Sequence, residues 1–264
     1  MGDWTVDELQ RWDEQIREKV EEFGLDCYRQ EFELCDHHAM LGYMAYHGMP
    51  AHYPHWSYGK SFEKTKTLYD YGVSGLPYEL VINSDPCLAY LMTDNSLCLQ
   101  ILTIAHVYGH NDFFKNNFTF TSATDAKETI GSFKARADRV RGYIEDPSIG
   151  DERVERILDS AHALAFCMSP NAAVRRLSVD EQREWARPGE PEHDEFAVLH
   201  KRREAPKTTG AERFPPEPVS DLLAFMRDHH PSLAEWERDL LDIVDSETRY
   251  FLPQIETKIM NEGW

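Results

Sequence analysis

The chain is poor in positive charge: 28 basic against 47 acidic residues give a formal net charge of −19, and only ten of the basic residues are lysines. Such a balance leaves no broad basic patch for phosphates or anionic headgroups, which argues against nucleic acid and membrane surfaces as partners. Long hydrophobic runs are missing as well. No stretch reaches the ~18 apolar residues of a membrane span, and the opening MGDWTVDELQRWDEQ is acidic, with no apolar leader. A cytoplasmic location is therefore expected. Cysteine is scarce: Cys27, Cys35, Cys87, Cys98 and Cys167 are odd in number, form no C-x-x-C pair and mostly lie in apolar runs. They read as buried free thiols. Against these absences stand 41% hydrophobic and 12% aromatic residues in a chain of 264, enough for a sizeable core. One elaborated domain over 1–264 is expected.

A glutamate is also missing where one pattern calls for it. Residues 95–117, NSLCLQILTIAHVYGHNDFFKNN, place His106 and His110 four apart in a segment otherwise almost wholly apolar. On a helix, i and i+4 share a face one turn apart, so both imidazoles point the same way from a rigid backbone. Leu97, Cys98, Leu99, Ile101, Leu102, Ile104, Ala105, Val107 and Tyr108 cover every side of this helix, which predicts that it is buried. A buried imidazole needs a hydrogen-bond partner or a metal, since an unsatisfied polar group costs about 1–3 kcal/mol. In the metallopeptidase pattern H-E-x-x-H the glutamate is the general base. Here the motif reads H-V-Y-G-H, with Val107 in that position. The ligand spacing is kept and the base is absent, so the pair reads either as metal ligands or as structural histidines.

Thr5 and Glu8 make a capping box, and Leu9, Trp12, Ile16, Val20 and Phe23 follow at helical spacing, which predicts a helix over 6–23. An irregular or extended piece over 27–35 leads to a helix over 37–47, with His37 and His38 at its surface. The loop HYPHWSYGKSF, residues 52–62, crowds six aromatic or imidazole rings around a proline and a glycine. Rings of this kind either seal a core edge or line a pocket, and His55 and Trp56 are its site candidates. A helix over 60–71 and the strand YELVIN, 78–83, come next. Glu79 lies in that strand and is expected to face solvent by alternation, with approach to the histidine helix as the other possibility. Asn111 and Asp112 are candidates to orient an imidazole, with capping of the helix end as the alternative. Asp125 and Glu128 begin a helix whose Lys134, Arg136, Arg139 and Arg141 read as a solvated face. Asp151 begins another, in which His162 borders the apolar face and Asp159 is placed to orient it. Residues 187–219 carry six prolines and many charges, and read as a surface connector or partly disordered excursion. Two further helices follow, over 220–230 and after Pro231, and Pro253 is expected to kink or restart the second. Ile255, Ile259 and Glu262 share a face at i, i+4 and i+7, so Glu262 is expected to point inward, either as a ligand or paired with Lys258. The pattern stops in mid-helix at Trp264, so the polypeptide is expected to continue.

Four blocks, YPHWSYGKSFE, LPYELVINSDPCLAYLM, IAHVYGHNDFFKNN and the terminal NEGW, make the chain resemble the stage V sporulation protein R (SpoVR-like) family over nearly its whole length. The resemblance implies a polypeptide that runs past NEGW and a part in spore-cortex formation, or more generally in cell-envelope or stress physiology. It also implies a pathway shared with a PrkA-type serine kinase and a von Willebrand factor A-like protein. The expected fold is mainly α (α+β), a helical zincin-like core with a small β-sheet. The expected site is His106, His110 and Glu262 around Zn²⁺ or another divalent metal, with Asn111, Asp112, Trp56 and His162 as supporting or pocket residues. Glu79 and His55 are the catalytic candidates. Amide hydrolysis is the natural reaction class, and a non-enzymatic regulatory or scaffold role is the alternative.

Overall fold

In a computed structural model of the chain, residues 3–169, 178, 180, 181, 184 and 221–264 are described. The connector expected over 187–219 lies outside them. Helix α1 (Val6–Glu22) starts at the expected capping box, with the Thr5 hydroxyl accepting from the Glu8 amide and the Glu8 carboxylate from the Thr5 amide. Strand β1 (Gln30–Cys35) leads to α2 (His37–Ala45), capped by Asp36. Helix α3 (Trp56–Asp70) begins four residues before the expected start, because the His55 side chain caps it by accepting from the Ser57 amide. The turn from β2 (Glu79–Ile82) into β3 (Cys87–Met92) contains a cis Asp85–Pro86 bond. β3 was not foreseen: CLAYLM is apolar throughout, and a strand with that pattern has no alternation to show.

The sheet has the order β1-β3-β2, with β1 parallel and β2 antiparallel to β3. Both of its faces are covered. Leu80, Ile82, Tyr90 and Met92 pack with Met40 and Met49 beside α2. On the other face Leu91, Phe32 and Leu34 meet Leu9 of α1 and Ile104 and Tyr108 of α4 (Leu97–Asn116). Alternation therefore turns Glu79 and Val81, opposite in phase to Leu80 and Ile82, towards the α4 side.

Helices α5 (Phe118–Ala123), α6 (Thr129–Glu145) and α7 (Asp151–Ala165) follow. The expected N-terminus at Asp125 is a turn, and α6 starts after it. The chain is described again in α8 (Leu222–His229) and α9 (Glu235–Gly263). Pro253 lies inside α9 and does not restart it. Helix α9 touches α4, α5, α6, α7 and α8. The largest core cluster joins Val140, Val154, Leu158, Leu223, Leu240 and Val244 from α6 to α9. The basic residues of α6 are more engaged than a solvated face would be: Arg139 pairs with Asp239 at 3.1 Å, and Arg141 donates to the His52 carbonyl at 2.6 Å. All five cysteines are free, but Cys98 and Cys167 are exposed and not buried as expected.

After α2 the chain reverses through His47 and Gly48, with φ of 54° and 89°. A Cβ at Gly48 would run into the end of the Leu80 side chain at Cδ2, so an alanine there meets an unfavourable φ and must push that side chain aside. Gly48→Ala is expected to destabilise by about 1–3 kcal/mol. Denaturant unfolding checks this, and an unchanged midpoint would contradict the packing of this turn against β2.

Candidate metal centre and its cleft

Helix α4 is not buried on every side. Cys98, Leu102 and Ala105 form an exposed strip beside His106, whereas Ile104, Val107, Tyr108 and His110 face protein. The expectation failed because an apolar circumference shows only that burial is possible, and the neighbours here cover part of it. His106 and His110 do share a face, with ring centroids 4.2 Å apart. His110 is 6% exposed and its Nδ1 lies 2.9 Å from Asn261 Oδ1. His106 is half-exposed, with Nε2 at 3.7 Å from both Glu79 Oε1 and Glu262 Oε2.

Glu79 thus faces the histidines and not solvent, for the reason given by the two-sided sheet. Its ligand oxygen and one nitrogen from each of His106 and His110 all lie within 4.8 Å of one another. Glu262 reaches His106 from the last turn of α9, but not by the expected route. Ile255 and Ile259 are 71% and 89% exposed, so the face they share with Glu262 points outward, and the buried face runs through Pro253 and Thr257. Burial, reinforced by Glu262, raises the pKa of Glu79, while His106 lowers it. Burial keeps the His110 pKa below the ordinary imidazole value, partly offset by its bond to Asn261.

The other candidates fall elsewhere. The Asn111 amide bonds the backbone of Tyr28, at 2.7 Å through Oδ1 and 3.0 Å through Nδ2. Asp112 accepts from the Asp26 amide at 2.7 Å and from Trp264 Nε1 at 2.8 Å. Both face away from the imidazoles and pin neighbouring chain segments to α4. The residue that orients His110 is Asn261, inside the NEGW block, where nothing in local spacing marks it. His55 Nε2 and Trp56 Nε1 both meet Asp159 Oδ1, at 3.2 and 2.7 Å. Asp159 therefore serves the loop and not His162, whose Nε2 meets the Tyr53 hydroxyl at 2.8 Å.

One cleft of about 720 Å³ connects Glu79, His110, Asn261 and Glu262 at one end with His52, Tyr53, Tyr58, His162 and Glu247 at the other. His52 Nε2 lies 3.1 Å from Glu247 Oε2 and 3.2 Å from the Tyr58 hydroxyl. Sequence reasoning passed over Glu247. The signal was present, since it stands between Val244 and Phe251 at helical spacing, on the face that packs.

The geometry defines a helical protein with a histidine–carboxylate cluster at one end of an elongated cleft. The chain belongs to the SpoVR-like family: the family described as "SpoVR like protein" matches residues 3–264. A relative from Escherichia coli (strain K12), described as "Uncharacterized protein YcgB", is 39% identical over 271 residues, covering 99% of this chain and 52% of that protein. The chain thus spans about half the length of that relative. No solved structure matches it. Among the described residues, no helix is long and apolar enough to cross a membrane.

The inner histidines supply a pH test. Burial and the neighbouring His55 and His52 rings push the His162 pKa down to about 4 from an ordinary 6.5. The unfolded chain takes up a proton there that the folded chain refuses. Stability from this group is full above about pH 6.5 and is lost as pH falls towards 4. Thermal unfolding across that window is expected to show a falling midpoint in the parent and a shallower fall in His162→Asn. Equal slopes would contradict the burial assigned to His162.

Proposed function

We propose that Glu79, His106 and His110 bind one divalent metal ion and that the cleft serves hydrolysis of an amide bond. The observation that carries this reading is the mutual approach of the three ligand atoms within 4.8 Å. Two bonds of ~2.0–2.2 Å to Zn²⁺ keep ligand atoms within about 4.4 Å of each other, so the cluster fits an ion after a small inward movement. Two imidazoles and a carboxylate are also a donor set of catalytic zinc. Asn261 accepts from His110 Nδ1–H, which leaves Nε2 for coordination, the usual way an outer partner fixes a ligand's tautomer. A bound ion supplies polarisation of a carbonyl and easier ionisation of water. Glu262, next to His106 and open to solvent, is the carboxylate placed to accept a proton, the task Val107 leaves unfilled.

Membership of the family supports a part in spore-cortex, cell-envelope or stress physiology, with peptides or peptidoglycan stem peptides as the first substrates to test. A shared pathway with a PrkA-type kinase and a von Willebrand factor A-like protein rests on the resemblance alone. A zincin-like core and a cytoplasmic location belong to the same reading. One observation favours a regulatory or scaffold protein instead: Val107, fully buried, replaces the general base of the histidine motif.

Elemental analysis of the purified full-length protein tests the proposal. About one divalent ion per chain is expected, with little retained in His106→Ala or His110→Ala, and turnover of amide substrates lost with it. A metal-free protein whose His110→Ala variant keeps its stability and cellular role would give the scaffold reading precedence.

A further inference from the structure

The inner end of the cleft holds a buried carboxyl group that the proposed chemistry does not use. Glu247 is 5% exposed and lines the cleft. Its Oε2 is engaged by His52, while among the described residues its Oε1 has no hydrogen-bond partner. A buried carboxylate oxygen in that position is costly unless a donor reaches it. Arg136 on α6 acts on Glu247 through space, but its guanidinium bonds Ser132 and does not line the cleft. The lining lysine, Lys258, lies one turn from Glu262 at the opposite end. Tyr53 and Tyr58 line the same space, and their hydroxyls are engaged by the histidines, that of Tyr53, beside Glu247, by His162 at 2.8 Å and that of Tyr58 by His52 at 3.2 Å.

Distance separates this group from the metal centre. Glu247 and Asn261 are fourteen residues apart on α9, and a rise of roughly 1.5 Å per residue puts them on the order of 20 Å apart. A single water cannot serve both ends, so Glu247 is not the missing general base. We propose that Glu247 is a recognition residue that binds a primary ammonium group on an extended amide-linked chain reaching from the His106–His110 end. This rests on the reading of that end as the reacting end. Recognition by one carboxylate oxygen selects the ammonium over a guanidinium, which takes both oxygens of a carboxylate in its preferred geometry. A second metal fits less well, since among the described residues the only set of three close ligand donors is the one at Glu79. An extended chain of about six residues spans the distance.

The test is calorimetric binding to chelator-treated protein, so that it does not depend on the metal reading. The probes are alanine hexapeptides, acetylated and amidated, with lysine, norleucine or arginine at the first position, and an all-alanine hexapeptide with a free N-terminus. The lysine or the free-amine peptide is expected to bind at least about tenfold more tightly than the norleucine peptide, and more tightly than the arginine one. Which of the two amines binds tells a side-chain from a terminal source. Glu247→Gln should remove the preference for the amine. Binding of the norleucine peptide by the parent protein as tight as that of both the lysine and the free-amine peptides would overturn the proposal, with or without a folded variant, as would preference for arginine or no binding of any amine peptide. If amine selectivity holds while elemental analysis finds no metal in the protein as purified, before chelator treatment, the metal reading fails and the recognition role of Glu247 stands.

Discussion

The cleft depends on how one long helix is fastened at its middle and at its last turn. Near its middle, the Tyr250 hydroxyl donates to the Asn83 carbonyl at 3.2 Å, and Arg249 pairs with Asp221 at 2.8 Å and Asp245 at 3.0 Å. These tie α9 to the end of β2 and the start of α8. At its last turn, Asn261 meets His110, and Trp264 donates to Asp112. Asp112 in turn holds the chain at Asp26, so one buried carboxylate on α4 gathers the start of the sheet and the end of the chain. With both points held, the face of α9 carrying Glu247, Phe251, Gln254 and Asn261 becomes one wall of the cleft. Losing the terminal contacts would leave His106 and His110 in place on α4 but remove Asn261 and Glu262 from them.

The electrostatics of the outer end follow from that construction. Burial raises the Glu79 pKa and lowers that of His110; each shift disfavours a charge, as a low-dielectric site does. A divalent cation reverses the balance for the carboxylate and rewards the neutral imidazole already present. The proposed ion therefore suits Glu79 and His110, the two desolvated ligands, while His106 contributes a half-exposed imidazole. At the inner end, among the described residues, one buried oxygen of Glu247 has no hydrogen-bond partner, and the same cleft is lined by both sites.

Much of the fold was legible in the sequence. The capping box at Thr5 and Glu8, the spacing of apolar residues in α1 and α7, and the paired histidines of α4 all appear where local periodicity placed them. What was not legible depends on neighbours. Alternation in YELVIN separates two faces, but only the presence of α2 on one side and α4 on the other decides where Glu79 points. The apolar pair Ile255 and Ile259 suggested an inward face, yet α9 packs through Pro253 and Thr257, so Glu262 arrives at His106 from the solvent side. Asn261 carries no pattern at all, because its role exists only once α9 crosses α4. His55 was singled out for its setting among aromatics, which equally suited its use as a helix cap.

The central claim is that the third ligand comes from β2 and that the carboxylate from α9 is its neighbour. Calorimetric titration of Zn²⁺ into metal-free full-length protein, compared with Glu79→Gln and Glu262→Gln, tests it most directly. The account predicts that Glu79→Gln loses at least about tenfold in affinity, while Glu262→Gln stays within a few-fold of the parent. Parent-like binding by Glu79→Gln, or loss in Glu262→Gln alone, would contradict it.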